Sequence, residues 1–165
     1  MGDRRLPIYL IDMEGRPVHV WHVATSVQSY ARLLPNGNLL YPTHDRSRIE
    51  VAGIREIDPQ SNVVWHYHCR TDHDFQVLEN GNLMIHTIRD SLWPELGPEL
   101  KRHPYIIEVT REKELVWEWH GEEHLAELEA LLPPEGWEHF QERVRGEFSF
   151  DWAHTVSYTH LTLPT

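Results

Sequence analysis

A segment of this chain is written twice, 44 residues apart, and that repetition restricts the fold more than any single motif. Trp21 is followed fifteen residues later by Asn36-Gly37-Asn38, and Trp65 fifteen residues later by Asn80-Gly81-Asn82. Leu33-Leu34-Pro35-Asn36-Gly37-Asn38-Leu39-Leu40 recurs as Val77-Leu78-Glu79-Asn80-Gly81-Asn82-Leu83-Met84. Upstream of each Trp stands a second shared phrase, Tyr9-Leu10-Ile11-Asp12 and Arg55-Glu56-Ile57-Asp58. A third copy opens at Ile106-Ile107-Glu108-Val109 and reaches Leu115-Val116-Trp117. A period of this length, built of short strand-like pieces, excludes helical and doubly wound folds and points to blades arranged by repetition.

Local chemistry fills in the repeat. Asn-Gly between apolar runs favours a type I′ hairpin, in which both central residues take positive φ. The Asp12 to Gly15 and Asp58 to Ser61 stretches supply a second turn per copy. Two hairpins give four antiparallel strands, so the expected fold is all-β. It is part of a β-propeller of about two and a half four-stranded antiparallel blades, near 7–43, 53–87 and an incomplete 104–155. Alternation places Val63, Trp65 and Tyr67 on one face, and Leu115, Trp117 and Trp119 on another. A sandwich with a duplicated hairpin is the competing architecture.

From 121 to 146 the strand pattern gives way to a helical insertion. Leu125, Leu128 and Leu132 stand at helical spacing, Pro133-Pro134 breaks the run, and Trp137, Phe140 and Val144 resume it up to Gly146. Arg89 to Pro104, with Pro94, Gly97 and Pro98, reads as a long loop of the kind that carries sites.

The last ten residues, Val156 to Thr165, read as the translation of GTC TCT TAT ACA CAT CTG ACG CTG CCG ACG. That string resembles a transposon-end adapter used in preparing sequencing libraries. The expectation is a non-native tail over 156–165 that packs poorly, with the natural reading frame continuing past His154.

Charge narrows the partners. A formal net charge of −11 argues against nucleic acid and anionic membranes, which need basic surfaces. No apolar run approaches the ~18 residues of a membrane span. Met1 to Gly15 enters a strand without the basic start and apolar core of a signal peptide, so a cytoplasmic protein is expected. The single Cys69 excludes an internal disulfide.

Thirteen histidines invite a metal reading, densest at His66-Tyr67-His68-Cys69 with His73 and Asp74. His66, however, stands just after its Trp as His22 does, which favours packing at a strand end, and no metal and no cofactor are expected. His19, His44, His86, His103 and His139 read as surface groups. His73, in Asp72-His73-Asp74-Phe75, and His154, in Asp151-Trp152-Ala153-His154, occupy matching places at the start of an inner strand. Side chains there would converge on a propeller axis.

These phrases resemble the arylsulfotransferase family of propellers over residues 8 to 155. The shared elements are Glu14-Gly15-Arg16-Pro17-Val18-His19-Val20-Trp21, Leu78-Glu79-Asn80-Gly81-Asn82, His73-Asp74-Phe75, Val116-Trp117-Glu118-Trp119-His120 with Glu123-His124-Leu125, and Asp151-Trp152-Ala153-His154. The Trp and Asn-Gly-Asn elements recur in many propellers, whereas the two histidine phrases in this order are more specific. The resemblance implies transfer of a sulfuryl group from a phenolic sulfate ester to a phenol, through a transiently sulfated histidine and without a nucleotide donor. It makes His73 and His154 supporting catalytic histidines, with Asp74, Asp151 and Trp152 at the substrate. The nucleophilic histidine and an arginine lie downstream in the family pattern. There Asn-Ser follows the second histidine phrase, where this chain has the adapter-like residues, so His160 is not the nucleophile and this chain by itself is expected to be inactive. The expected partners are a small aryl sulfate and a phenol. A propeller that binds a ligand or partner without catalysis is the alternative. A quinone-dependent dehydrogenase would need calcium-binding carboxylates and a stacking Trp, which nothing singles out.

Overall fold

The computed structural model of the protein describes residues 5–43, 52–94, 97–145, 151–153, 155 and 157–158. The chain forms two compact units, Met1–Thr71 and Asp72–Thr165. In the first, strands β1 (Leu6–Ile11) and β2 (Pro17–Val23) make a hairpin. Strands β3 (Arg32–Leu33), β4 (Leu39–Thr43), β5 (Gly53–Ile57) and β6 (Val63–His68) form an antiparallel sheet in that order. A second sheet runs β7 (Thr71–Val77), β8 (Leu83–Leu92), β9 (Leu100–Val109), β10 (Leu115–His120). A 3₁₀ turn (Gly121–His124) and helices α1 (Leu125–Leu131) and α2 (Pro134–Arg145) follow. The protein is thus mostly β, with four-stranded antiparallel sheets and few helices.

Each sheet is out of phase with the sequence repeat. Strands were expected to group as 7–43 and 53–87, with helices interrupting a third group. Instead the Asn-Gly-Asn hairpin of one copy pairs with the first hairpin of the next, giving sheets over 32–68 and 71–120, and the helices follow a complete sheet. A side-chain clip accounts for this forward pairing. Asn38 Nδ2 donates to Glu56 Oε1 at 2.6 Å, and Asn82 Nδ2 donates to Glu108 Oε1 at 2.6 Å. Both glutamates sit on the first strand of the following copy. The equivalent position in the first copy, with no such turn before it in this chain, is Leu10.

Five hairpin turns among the described residues share one geometry, and it is not type I′. In the Leu34–Asn38 turn the Gly37 N–H donates to Leu34 O, the Leu34 N–H to Asn38 O, and only Gly37 has positive φ. This is a three-residue loop with a left-handed residue at its end. The same bonds close 12–16, 58–62, 78–82 and 110–114, with Gly15, Ser61, Gly81 and Lys113 left-handed. Turn side chains satisfy the freed amides: Asp12 Oδ1 accepts from the Glu14 and Arg16 N–H groups, and Asp58 Oδ1 from Gln60 and Asn62. The Arg16 backbone N–H, then its guanidinium, holds the Asp12 carboxyl below its ordinary range; the Asn62 side-chain amide and then its backbone do so for Asp58.

A register shift recurs at Val18, Val64 and Val116 in the three first hairpins. Each bulge flips the phase of the strand, because side chains alternate with period two. Val63 therefore falls out of phase with Trp65 and Tyr67, and Leu115 with Trp117 and Trp119. Trp65 and Tyr67 do share a face, their rings stacked 6.3 Å apart.

The core of the first unit is Trp21, Val23, Leu39, Tyr41 and Ile57, closed by Ile8, Leu10, Val27 and Ala31. Full burial of such side chains contributes roughly 1.5–3 kcal/mol each. In the second unit the expected loop at 89–104 is instead an extension of the β8–β9 ladder, whose pairs run from Leu83↔Val109 to Leu92↔Leu100. Its inward side chains include Lys101 and His103, both fully buried, so apolar alternation does not mark these strands. The Lys101 ammonium donates to Val144 O at 2.8 Å, tying the ladder to α2 beside Trp93, Phe140 and Trp152. Gly146, expected to stop the helix, lies outside the described residues.

Candidate functional site

His73 sits in the middle of β7 with φ +62°, a left-handed conformation inside a strand. Such backbone in a non-glycine residue costs of order 1–3 kcal/mol and persists only where its surroundings impose it. The His73 side chain is 38% exposed, with Nε2 3.4 Å from Asp72 Oδ1. Asp74 Oδ2 accepts a hydrogen bond from the Ser157 hydroxyl at 2.7 Å.

The 151–158 segment meets the sheet through several named contacts. Asp151 forms a parallel bridge with Arg102. The Trp152 indole N–H donates to His103 Nδ1 at 3.1 Å. His86 Nδ1 is 2.5 Å from Asp72 O, which can only accept, so Nδ1 carries the proton and Nε2 accepts from the Thr155 hydroxyl at 2.7 Å. The Tyr158 hydroxyl donates to Met84 O at 2.8 Å. Ser157 and Tyr158, both expected to lack partners, thus have them. His154 lies outside the described residues.

A cavity of about 600 Å³ is walled by Trp119, His124, Leu128, Phe140, Arg143 and Trp152. It takes in Trp152 from the expected set, but neither His73, Asp74 nor Asp151 lines it. Its volume suits a small molecule, and its aromatic walls suit a flat ring.

Behind Trp152 stands a buried polar group that sequence reading placed at the surface. His103 is completely buried, and His86 is 1% exposed. Because an indole N–H can only donate, His103 Nδ1 must be unprotonated and the ring hydrogen must sit on Nε2; the Ser91 backbone also interacts with the ring. Glu122 Oε2, itself buried and without a hydrogen bond, is 3.8 Å from Nδ1. Burial pushes the His103 pKa down, opposed by the Glu122 carboxylate. The one available signal was position: in an alternating strand, His103 and Lys101 share the inward face with the apolar residues further along β9.

The His66 and His68 rings lie 3.9 Å apart, with His66 Nε2 3.3 Å from Ala52 O. Among the described residues no three His, Cys, Asp or Glu side chains are grouped to hold a metal ion. Burial pushes the Cys69 thiol up to about 12, far from the range of a metal-binding or nucleophilic thiolate. No helix among the described residues is long and apolar enough to cross a membrane. Comparison with protein-family models, curated proteins and solved structures finds no match to this chain.

Proposed function

We propose that the two four-stranded sheets are blades of a β-propeller, and that the chain supplies part of a sulfuryl-transfer site of the arylsulfotransferase type. The observation that carries this reading is His73: a non-glycine residue held left-handed in mid-strand, partly exposed, between two aspartates. Strain of this kind is concentrated where function requires a side chain to be aimed.

In the proposed reaction the S–O bond of an aryl sulfate breaks and its electron pair leaves with the phenolate. An N–S bond forms to a histidine supplied by sequence after His154. The acceptor phenol oxygen then bonds to sulfur as the N–S bond breaks and returns its electron pair to the histidine, and the phenol gives up its proton, which balances the phenolate released first. His73 and His154 donate hydrogen bonds to the sulfuryl oxygens, where charge resides in a loose transition state. Asp72, 3.4 Å from His73 Nε2, orients that ring.

The test uses the reading frame recovered from intact DNA. His73→Ala should lower phenol-to-phenol transfer by about 10²-fold, as for other lost transition-state donors. His73→Gly should lower it as much while raising stability, since glycine accepts the backbone without strain. Full transfer by His73→Ala would overturn the reading. The alternative, a ligand-binding propeller without catalysis, draws on the large cavity beside Trp152. It is favoured if an aromatic ligand binds there and no turnover is measured.

A further inference from the structure

A second, smaller cavity of about 290 Å³ lies in the first unit. Its lining includes Arg5, His22, Tyr41, Arg55, Ser61 and Asn62 and, among the described residues, no carboxylate. In a chain of net charge −11, two guanidinium groups and an imidazole around one small space are a local reversal of sign. Arg55 Nε is buried and has no hydrogen-bond partner. Such a donor costs ~1–3 kcal/mol, more when charged, unless something accepts from it.

The neighbouring groups are prepared to donate. Ser61 Oγ accepts from the His22 N–H at 2.9 Å, which leaves the hydroxyl proton to be given elsewhere. Asn62 is held by its Nδ2 bond to Asp58 Oδ2 at 2.9 Å. Burial raises the Tyr41 pKa, so the phenol, whose hydroxyl interacts with Thr25 and Arg55, stays neutral and adds no competing negative charge. Ser61 owes its place to the left-handed turn, with φ +69°.

The repeat sharpens the point. Arg55 stands where the other two copies have Tyr9 and Ile107. Strand register pairs it with His66, in the centre of the sheet rather than at a rim. The Arg55 side chain reaches the Tyr41 hydroxyl, but among the described residues its Nε has no partner, so a charged donor stands at a repeat position that is apolar or aromatic in the other copies.

We propose that this cavity binds a small tetrahedral oxyanion, sulfate or phosphate, either free or as the end group of a monoester. Planar guanidinium groups offer paired N–H donors suited to such oxygens, and the volume lies at the small end of ligand sites. The inference does not depend on the sulfuryl-transfer reading, because none of its residues belongs to that site.

Thermal melting of the 165-residue chain tests it, with sulfate, phosphate or phenyl phosphate added at constant ionic strength balanced by chloride. A ligand that binds only the folded state raises the melting temperature along a saturating curve. Arg55→Gln should weaken the apparent affinity about tenfold or more, as expected for a lost charged hydrogen bond, and Arg5→Gln severalfold. Lys113→Gly, at an exposed turn of the second unit, should leave it unchanged. Preference for phenyl phosphate would identify a monoester, and equal response a free anion. If Arg55→Gln fails to fold, the wild-type chain answers by NMR: one arginine Nε–H resonance should shift saturably with sulfate. A linear, unsaturating response shared with Arg55→Gln is bulk salt stabilisation. That result, or no arginine resonance moving, would overturn the proposal.

Discussion

Lowering the pH from 7.5 to 5.5 should destabilise the second unit through one residue, His103, with a sign that can be worked out beforehand. The group is completely buried and uncharged as it accepts the Trp152 N–H. Protonating Nδ1 removes that acceptor and places a cation among Arg89, Asp90 and Glu122. Desolvation is the largest influence, so the folded pKa lies below the ordinary histidine value of ~6.5. Below that pH the unfolded chain takes up the proton first, and stability falls as pH falls. The loss begins near the unfolded pKa and ends at the folded one. Its slope for a single proton cannot exceed about 1.4 kcal/mol per pH unit. His103→Gln keeps an oxygen that can accept from the indole but does not titrate. Urea unfolding at pH 7.5, 6.5 and 5.5, followed by tryptophan fluorescence and far-UV circular dichroism, isolates the difference between the two proteins. Wild type should lose more stability than the variant below pH 6.5, by up to that slope, with no differential loss above it. Parallel pH profiles would refute the reasoning. A wild type that gains relative to the variant at pH 5.5 would show that the Glu122 carboxylate, 3.8 Å away, outweighs desolvation.

Two further perturbations test the backbone. Gly53 has φ +137°, and an added Cβ would collide with the Tyr67 carbonyl oxygen. Gly53→Ala should therefore cost about 3 kcal/mol or more in chemical denaturation, from backbone strain together with displacement of β6; a loss under ~1 kcal/mol would mean that the strand separation is not fixed by this contact. Lys113, with φ +74° at an exposed turn, should behave in the opposite way: Lys113→Gly should stabilise by about 0.5–1 kcal/mol, read as a higher urea midpoint at unchanged slope.

The hairpins were legible because their turns carry their own chemistry. Asn-Gly-Asn and the Asp-led turns mark the two tight turns within each of the first two copies, and the helical spacing of Leu125, Leu128, Phe140 and Val144 marks α1 and α2. The phase of the sheets was hidden, since strand pairing is decided by contacts between copies. Its one clue was the exchange of Leu10 for Glu56 and Glu108. Ser61 and Lys113 gave no sign of left-handed backbone, because neither residue type favours it. The expected loop at 89–104 misled through Lys101 and His103, polar groups satisfied or enclosed by α2 and Trp152 rather than by water. Of the candidate site, His73 was found within β7, where the start of an inner strand was expected. Trp152 was found donating to His103, a partner that no local pattern announces. Arg55 was visible only as a departure from the repeat.

The offset between copy and sheet makes the architecture resemble overlapping brick courses: each joint in the sequence falls in the middle of a slab. Cutting the chain between Thr43 and Gly53, at the junction of two copies, would leave β4 on one piece and β5 on the other, still joined by five residue pairs from Leu39↔Ile57 to Thr43↔Gly53. Pieces divided there would be expected to recombine. A cut between His68 and Thr71, which no pattern in the repeat recommends, instead falls between the two sheets and severs no strand pairing within either. The unit that was copied and the unit that folds are different lengths of chain, and the second is the one to respect when this protein is divided.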